Sequence, residues 1–322
     1  MALQTSGPIS LNDMHVEFGG TSGTTCSLND PDIRNLISVG DSTNQSFLLY
    51  YGTASETVMT SGGTVNGQNQ RLKISASSFI SSGETLRIPS NMWVWSDDTG
   101  TAALTIDIPC TVVNDGKIIG KGGKGGYYVG TKATDGGPAI NVTSSGVTIT
   151  NSSGAYIAGG GGGGGYYQDR SNPSDAHAGG GGGAGGGDGG TGRVNQGYWQ
   201  AGTGGALNAS GTDGGNGYQY AGEGGGAGGE GGGQQYGGGG GGRILPGVGG
   251  GQPNDACRGG SAGNPGFSSS GFLSGGGGGW GAAGATGGGT TGPAYEGGGA
   301  GGAAITGTSR TLSNSGTIYG ST

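Results

Sequence analysis

Charge is scarce in this 322-residue chain, with Asp, Glu, Lys and Arg making up only 10% of it. So little charge excludes charge-expanded disorder. The 13 basic residues are scattered among 20 acidic ones, which excludes an electrostatic footprint for nucleic acid. Hydrophobic residues are also few, at 30%, and a large oily core is out of reach. The three cysteines, Cys26, Cys110 and Cys257, are odd in number and widely spaced. They form neither a disulfide framework nor a CxxC metal knuckle, and buried free thiols are expected. No apolar run reaches 18 residues, and the opening Met1 to Gly7 lacks the basic start and apolar stretch of a signal peptide. The expectation is a chain made in a cytosol without membrane insertion, leaving a cell by lysis or by a route the sequence does not show.

What the chain has in excess is glycine. Of 91 glycines, 13 lie in the first 120 residues and 78 after them, in runs such as 159–165, 179–183, 237–242 and 275–279. Collagen needs a strict Gly-X-Y period with abundant proline, and here there are 10 prolines and consecutive glycines. The segment 182–192 misses the register of calcium-binding β-roll repeats. The lysines of 120–126 stand in no GxxxxGK[ST] phosphate loop. What remains is a bundle of extended polyglycine helices. A polyproline-II-type chain has three residues per turn, rises ~3.1 Å per residue and makes no internal hydrogen bonds. Its backbone groups must then pair between neighbouring helices, and side chains would prevent that approach. At that rise the stretch 179–192 is too long for one pass, so it folds back near Asp188, and 221–233 folds back likewise.

The rest of the chain reads in order. Residues 1–45 are polar, and Ser-Leu-Asn-Asp occurs twice, at 10–13 and 27–30, as a helix cap or turn start. Two short helices or turns are expected there. Residues 46–119 hold short alternating segments such as Thr85 to Ile88 and Leu104 to Ile108, which argue for a small all-β unit. Trp93 and Trp95 share a strand face and are expected to pack on its core. A repeat then recurs as VVNDGKIIG at 112–120, ITNSSGAYIAG at 149–159 and LSNSGTIYG at 312–320. Each copy reads as two short strands around a tight turn, with Asn and Gly supplying positive φ. The repeats bracket the glycine region, 120–322. The expected fold class is mainly β and irregular: a small all-β N-terminal attachment region followed by a polyglycine-II helix sandwich with connecting loops.

Between the glycine runs lie 166–178, 193–200, 206–220, 234–236, 252–258, 264–274 and 290–296, rich in Tyr, Ser, Gly and Asn with occasional Trp and Arg. That is the composition of binding loops, where large rigid rings sit among small adaptable residues. The candidate binding residues are Tyr166, Tyr167, Arg170, Tyr198, Trp199, Tyr218, Tyr220, Phe267, Phe272 and Tyr295. His177 near Asp175 suits a solvated loop rather than an active site, and neither catalysis, a cofactor nor a metal is expected.

The opening phrase ISLNDMHVEFGG at 9–20 resembles an N-terminal attachment module found on many tailed-phage structural proteins. Gly-rich runs alternating with Tyr, Trp, Asn and Ser segments, placed after a small β region, resemble the receptor-recognising adhesins at the tips of long tail fibres in T-even-type phages. This second resemblance covers residues 105–322 and implies a rigid polyglycine-II scaffold in a virion. It also implies loops that contact a host cell-surface receptor, either an outer-membrane protein or lipopolysaccharide. Other tail or fibre proteins would be met through residues 1–119. The rival readings are an inert structural or capping protein of the virion tail and an ice-binding protein with regular Thr or Ala faces.

Overall fold

The computed structural model describes residues 3, 9–35, 37, 50, 56–127, 131–168, 176–194, 197–215, 222, 224–232, 237–251, 257–269, 274–287 and 297–322. The opening module contains the two expected short helices, α1 (Leu11–Glu17) and α2 (Pro31–Asn35). Ser10 Oγ accepts from Asp13 N at 3.1 Å while the Asp13 carboxylate accepts from Ser10 N at 2.8 Å, a reciprocal cap. The second Ser-Leu-Asn-Asp makes a turn ahead of α2, with Asp30 N donating to Ser27 O at 3.0 Å. Leu3, Met14, Ile33 and Tyr50 form this module's own small core.

Twelve strands follow: β1 (Glu56–Val58), β2 (Thr64–Val65), β3 (Gln68–Leu72), β4 (Ile74–Ser75), β5 (Thr85–Ile88), β6 (Met92–Trp95), β7 (Leu104–Ile106), β8 (Thr111–Asn114), β9 (Lys117–Ile119), β10 (Ile140–Val142), β11 (Val147–Asn151) and β12 (Tyr156–Ala158). After the long glycine-rich excursion, which contains β13 (Tyr167–Gln168), β14 (Ala176–Ala178), β15 (Gly192–Val194) and β16 (Gly197–Trp199), the chain returns as β17 (Ile305–Gly307), β18 (Arg310–Asn314) and β19 (Thr317–Tyr319). From β3 on, outside the excursion, consecutive strands take turns among three sheets, ordered β1-β5-β8-β11-β18, β19-β12-β9-β6-β3-β2 and β17-β10-β7-β4, with β2 pairing antiparallel to β3 at the edge of the second. Pairing between successive coils is parallel, as in Thr148↔Thr111 and Thr148↔Thr311. The result is a three-faced parallel solenoid. Its interior is filled by one inward row per face, including Leu86, Ile88, Val94, Leu104, Ile106, Val112, Ile118, Ile140, Ile149 and Ile157.

The β unit therefore does not stop at 119. Its last two coils use residues 140–158 and 305–319, and the glycine-rich residues are insertions of 120–139 and 159–304 at the same corner, between the second and third faces. The strand–turn–strand repeats are three successive coils rather than hairpins, because the strands flanking each turn lie in different sheets. Their asparagines do not adopt positive φ. They form a ladder instead, with Asn114 Nδ2 donating to Asn151 Oδ1 and Asn151 Nδ2 to Asn314 Oδ1, each at 2.8 Å. Gly116 is needed for clearance, since a Cβ there would lie 2.5 Å from Met92 O. Asn151→Ala removes the central rung, taking one acceptor from the buried Asn114 amide, which keeps Tyr156 O at 3.2 Å, while Asn314 is exposed and can meet water. A loss of about 1–3 kcal/mol in unfolding free energy is expected by chemical denaturation, the cost of one buried polar group left short of a partner.

Cys110 is buried against this core, and burial with the nearby Asp107 charge pushes its thiol up to about 11 from an ordinary 9.0. The folded state thus holds the proton longer than the unfolded chain. Its contribution is whole below pH 9 and declines as pH rises towards 11. Between pH 8 and 10.5 Cys110→Ala is expected to lose about 2 kcal/mol less stability than the parent, at about 1.4 kcal/mol per unit. Denaturant melts of both proteins at the two pH values check it.

The glycine runs pair in a three-residue rhythm. Gly160 and Gly163 donate to Gly137 O and Thr134 O, Gly161 and Gly164 to Ala184 O and Gly181 O, and Gly162 and Gly165 to Ala282 O and Ala285 O, all at 2.8–3.0 Å. Each neighbour is thus met every third residue, the period of a chain with three residues per turn. The first two neighbours run antiparallel to 160–165 and the third runs parallel. A Cβ at Gly161 or Gly163 would fall on a neighbour's backbone, lying for instance 2.5 Å from Gly279 O or 2.8 Å from Gly125 N. The fold-back of 179–192 occurs at 184–187, where Gly185 and Gly186 have φ of 100° and 76°, just before the expected Asp188.

The turns at one edge of this glycine layer rest on the second solenoid face. Trp93, Ile119 and Ala158 from the face meet Ala184, Leu207, Ala227, Leu245 and Trp280 from the turns in a second core. Trp93 and Trp95 therefore pack outward against the glycine layer, not into the solenoid interior, because alternation points Met92 and Val94 inward. Arg243 crosses the joint, its guanidinium 4.6 Å from the Trp95 ring centroid and donating to Gly185 O at 3.0 Å and Gly205 O at 2.7 Å. Burial pulls Arg243 down to about 10, and pulls Lys121 below its ordinary value. Lys121 Nζ donates to Gly186 O at 2.5 Å beside it.

Candidate functional site

Leaving the solenoid-facing turns, each glycine run carries the chain to the opposite edge of the layer at ~3.1 Å per residue. There the described backbone builds one small antiparallel sheet, β13-β14-β15-β16. Tyr167 pairs with Ala178, Gln168 with His177, His177 with Arg193, and Arg193 with Tyr198. Two segments expected to be loops are thus hairpin arms. Registered strands hold side chains more firmly than open loops do, and this sheet rises directly from the hydrogen-bonded glycine runs.

The expected binding residues separate on this frame. Tyr198 is 65% exposed, with the Arg193 guanidinium 5.8 Å from its ring centroid, a contact between a cation and a π face. Trp199 lies on the same strand, paired with Gly192. Tyr166 and Tyr167 are buried, at 3% and 6% exposure, where the glycine run enters β13, and there they serve packing rather than contact. His177 is fully buried on β14, not solvated, because it sits on a central strand. Phe267 is 48% exposed but lies on a separate flank beside Arg258, 5.6 Å away. Arg170, Tyr218, Tyr220, Phe272 and Tyr295 lie outside the described residues, with the rest of 169–175, 216–220, 270–273 and 290–296. The expected segment 206–220 begins with a solenoid-facing turn at 207–208, and 264–274 follows another at 262–264. Arg193 was not among the sequence candidates. The RVNQGYWQ stretch held a signal, since a hairpin reading with Asn195 and Gln196 at its tip places Arg193 opposite Tyr198.

Among the described residues no cluster of His, Cys, Asp and Glu could hold a metal ion, and no helix is long and apolar enough to cross a membrane. Cys110 and Cys257 are buried and Cys26 is half-buried, and the three stand in no disulfide; the Cys257 thiol donates to Gly231 O at 3.0 Å.

The architecture is a three-faced solenoid that seats an inserted glycine layer and, through it, a small four-stranded sheet carrying the exposed Tyr198. Residues 56–234 match the family Phage tail fibre adhesin Gp38, more than half of the chain, and the protein belongs to that family. It is accordingly a phage tail-fibre adhesin, a component of the virion tail fibre. The gp37-gp38 adhesin tip complex of the bacteriophage S16 long tail fibre, a solved structure, is similar at 21% identity and a TM-score of 0.46, over 98% of this chain and 99% of that one. No curated protein matches the chain.

Proposed function

We propose that this adhesin binds a host cell-surface receptor, an outer-membrane protein or lipopolysaccharide, through the β13–β16 sheet and the neighbouring far-edge segments. The glycine layer acts as a polyglycine-II sandwich that keeps this edge rigid, and the opening module with the first solenoid coils attaches to other fibre proteins. The action is adhesion, without a catalytic step. The observation that carries the reading is Tyr198. A large aromatic ring left 65% exposed beside an arginine, on a registered strand at the far edge, is the kind of residue that anchors interfaces.

The test is binding of the purified full chain to host envelope fractions, with and without outer-membrane proteins and lipopolysaccharide. Tyr198→Ala is expected to weaken saturable binding by about tenfold or more with no change in melting temperature, since anchor residues contribute about 2 kcal/mol. Replacing 169–175 by a Gly-Ser segment spares the buried Tyr166 and Tyr167 and is expected to reduce binding while particles still assemble. Lost assembly with intact binding would instead establish the structural or capping role.

A further inference from the structure

Apart from the far edge, the flank of the glycine layer holds a groove of about 390 Å³ between the runs at 249–251, 258–261 and 264–267. Three features mark it. First, part of its lining backbone is open: among the described residues the amides of Gly249, Gly251 and Ser261 donate no backbone hydrogen bond and the carbonyls of Gly249 and Gly251 accept none, while Gly250, Gly259 and Gly260 pair with neighbouring runs. Second, the half-buried Arg258 side chain lines the groove and gives it a positive charge, while its Nε, itself out of contact with solvent, finds no hydrogen-bond partner among the described residues. Third, the Phe267 ring stands next to that guanidinium and stays half exposed at 48%. Asn264 and Ser261, whose side chains bond each other at 2.9 Å, close one end with further hydroxyl and amide oxygens.

We propose that this groove is a second binding site, specific for an anionic saccharide unit. The sugar ring packs on Phe267 and its carboxylate or phosphate accepts from Arg258. Its hydroxyls meet the unpaired amides and carbonyls of the exposed runs. An aromatic face, one cation and a wall of backbone donors and acceptors are the complement of such a molecule. A purely apolar ligand would leave Arg258 and the backbone unmet. The site does not depend on the reading of the far edge, and neither Tyr198 nor Arg193 takes part in it.

Titration of the full-length protein with D-glucuronic acid, D-glucose 6-phosphate and neutral D-glucose, followed by saturation-transfer NMR, tests it. The expected result is saturable binding of at least one anion, about tenfold or more tighter than glucose, as a charge-assisted hydrogen bond of about 1.5–3 kcal/mol requires. Whichever anion binds names carboxylate or phosphate as the recognised group. Arg258→Gln is expected to remove that preference and Phe267→Ala to weaken all three sugars, each with an unchanged melting temperature, while Tyr198→Ala binds as the parent does. Binding of neither anion, a glucose affinity equal to theirs, or an unchanged preference in folded Arg258→Gln would overturn the proposal. Host binding lost in Tyr198→Ala but retained in Arg258→Gln would show the two sites to be separate.

Discussion

Gly299→Ala is expected to destabilise the glycine layer by about 1–3 kcal/mol, while Gly297→Ala, two residues earlier in the same run, changes nothing measurable. At Gly297 an added Cβ meets nothing within 4 Å. At Gly299 it would fall on the backbone of Thr134, with Asp135 N at 3.0 Å. The obstacle is main chain, which cannot swing aside like a flexible side chain. Relief requires moving two runs apart, and Gly299 N then loses its 2.7 Å bond to Gly163 O. Overpacking a tight interior costs about 1–3 kcal/mol, and the lost pairing adds about 1 kcal/mol. Against this, alanine lowers the unfolded chain's entropy by about 0.4–1 kcal/mol. The gain is available at both positions, so at Gly297 the variant ends near neutral or slightly more stable. Thermal melts and limited proteolysis of the two variants beside the parent decide the matter. Equal effects at the two positions would mean that the layer is not held by backbone-to-backbone contact.

The glycine layer was legible because glycine has no other reason to occur in such runs. Consecutive glycines without proline leave few ordered structures, and the three-residue hydrogen-bond rhythm follows from the chain having three residues per turn. The fold-backs were legible from length alone, and the 184–187 turn falls within a few residues of Asp188. The solenoid was hidden. Its coils are identified by parallel pairing, and β12 meets its next-coil partner β19 about 160 residues later, beyond any local pattern. The three VVNDGKIIG-like copies carried that information, but an Asn-Gly pair between short strands looks the same whether the strands form a hairpin or turn a solenoid corner. Only the Asn114–Asn151–Asn314 ladder separates the two, and a ladder is a relation between copies. At the far edge, Tyr198 and Tyr166 have the same composition around them and opposite burial, because one projects from an edge strand and the other sits where the run enters the sheet. Composition locates such an edge without sorting its rings.

Trp280→Ala is expected to separate the glycine layer from the solenoid, lowering stability by about 3–5 kcal/mol, the range for truncating a buried tryptophan. Trp280 is fully buried in the joint between the two parts, and its indole N–H donates to Ile244 O at 3.0 Å. It packs in a core whose other layer-side members are small or singly spaced: Ala184, Leu207, Ala227 and Leu245. None of these layer-side neighbours is large enough to fill the space it leaves. Once the indole is removed, the carbonyl of Ile244 also loses its donor next to the buried Arg243, whose own bonds run to Gly185 O and Gly205 O. The two parts fail differently. The solenoid keeps its interior and its asparagine ladder, whereas the layer can fold only if its turns are held in register, because its interior has no side chains with which to find one. Two-step unfolding is therefore expected in Trp280→Ala, with glycine-layer amides exchanging hydrogen early and solenoid amides late, where the parent protects both together. Trp280→Phe retains most of the volume without the indole donor and is expected to fall between the two. Uniform early exchange throughout the alanine variant would show instead that the layer supports the solenoid, and that the coils on either side of the 159–304 insertion do not close without it.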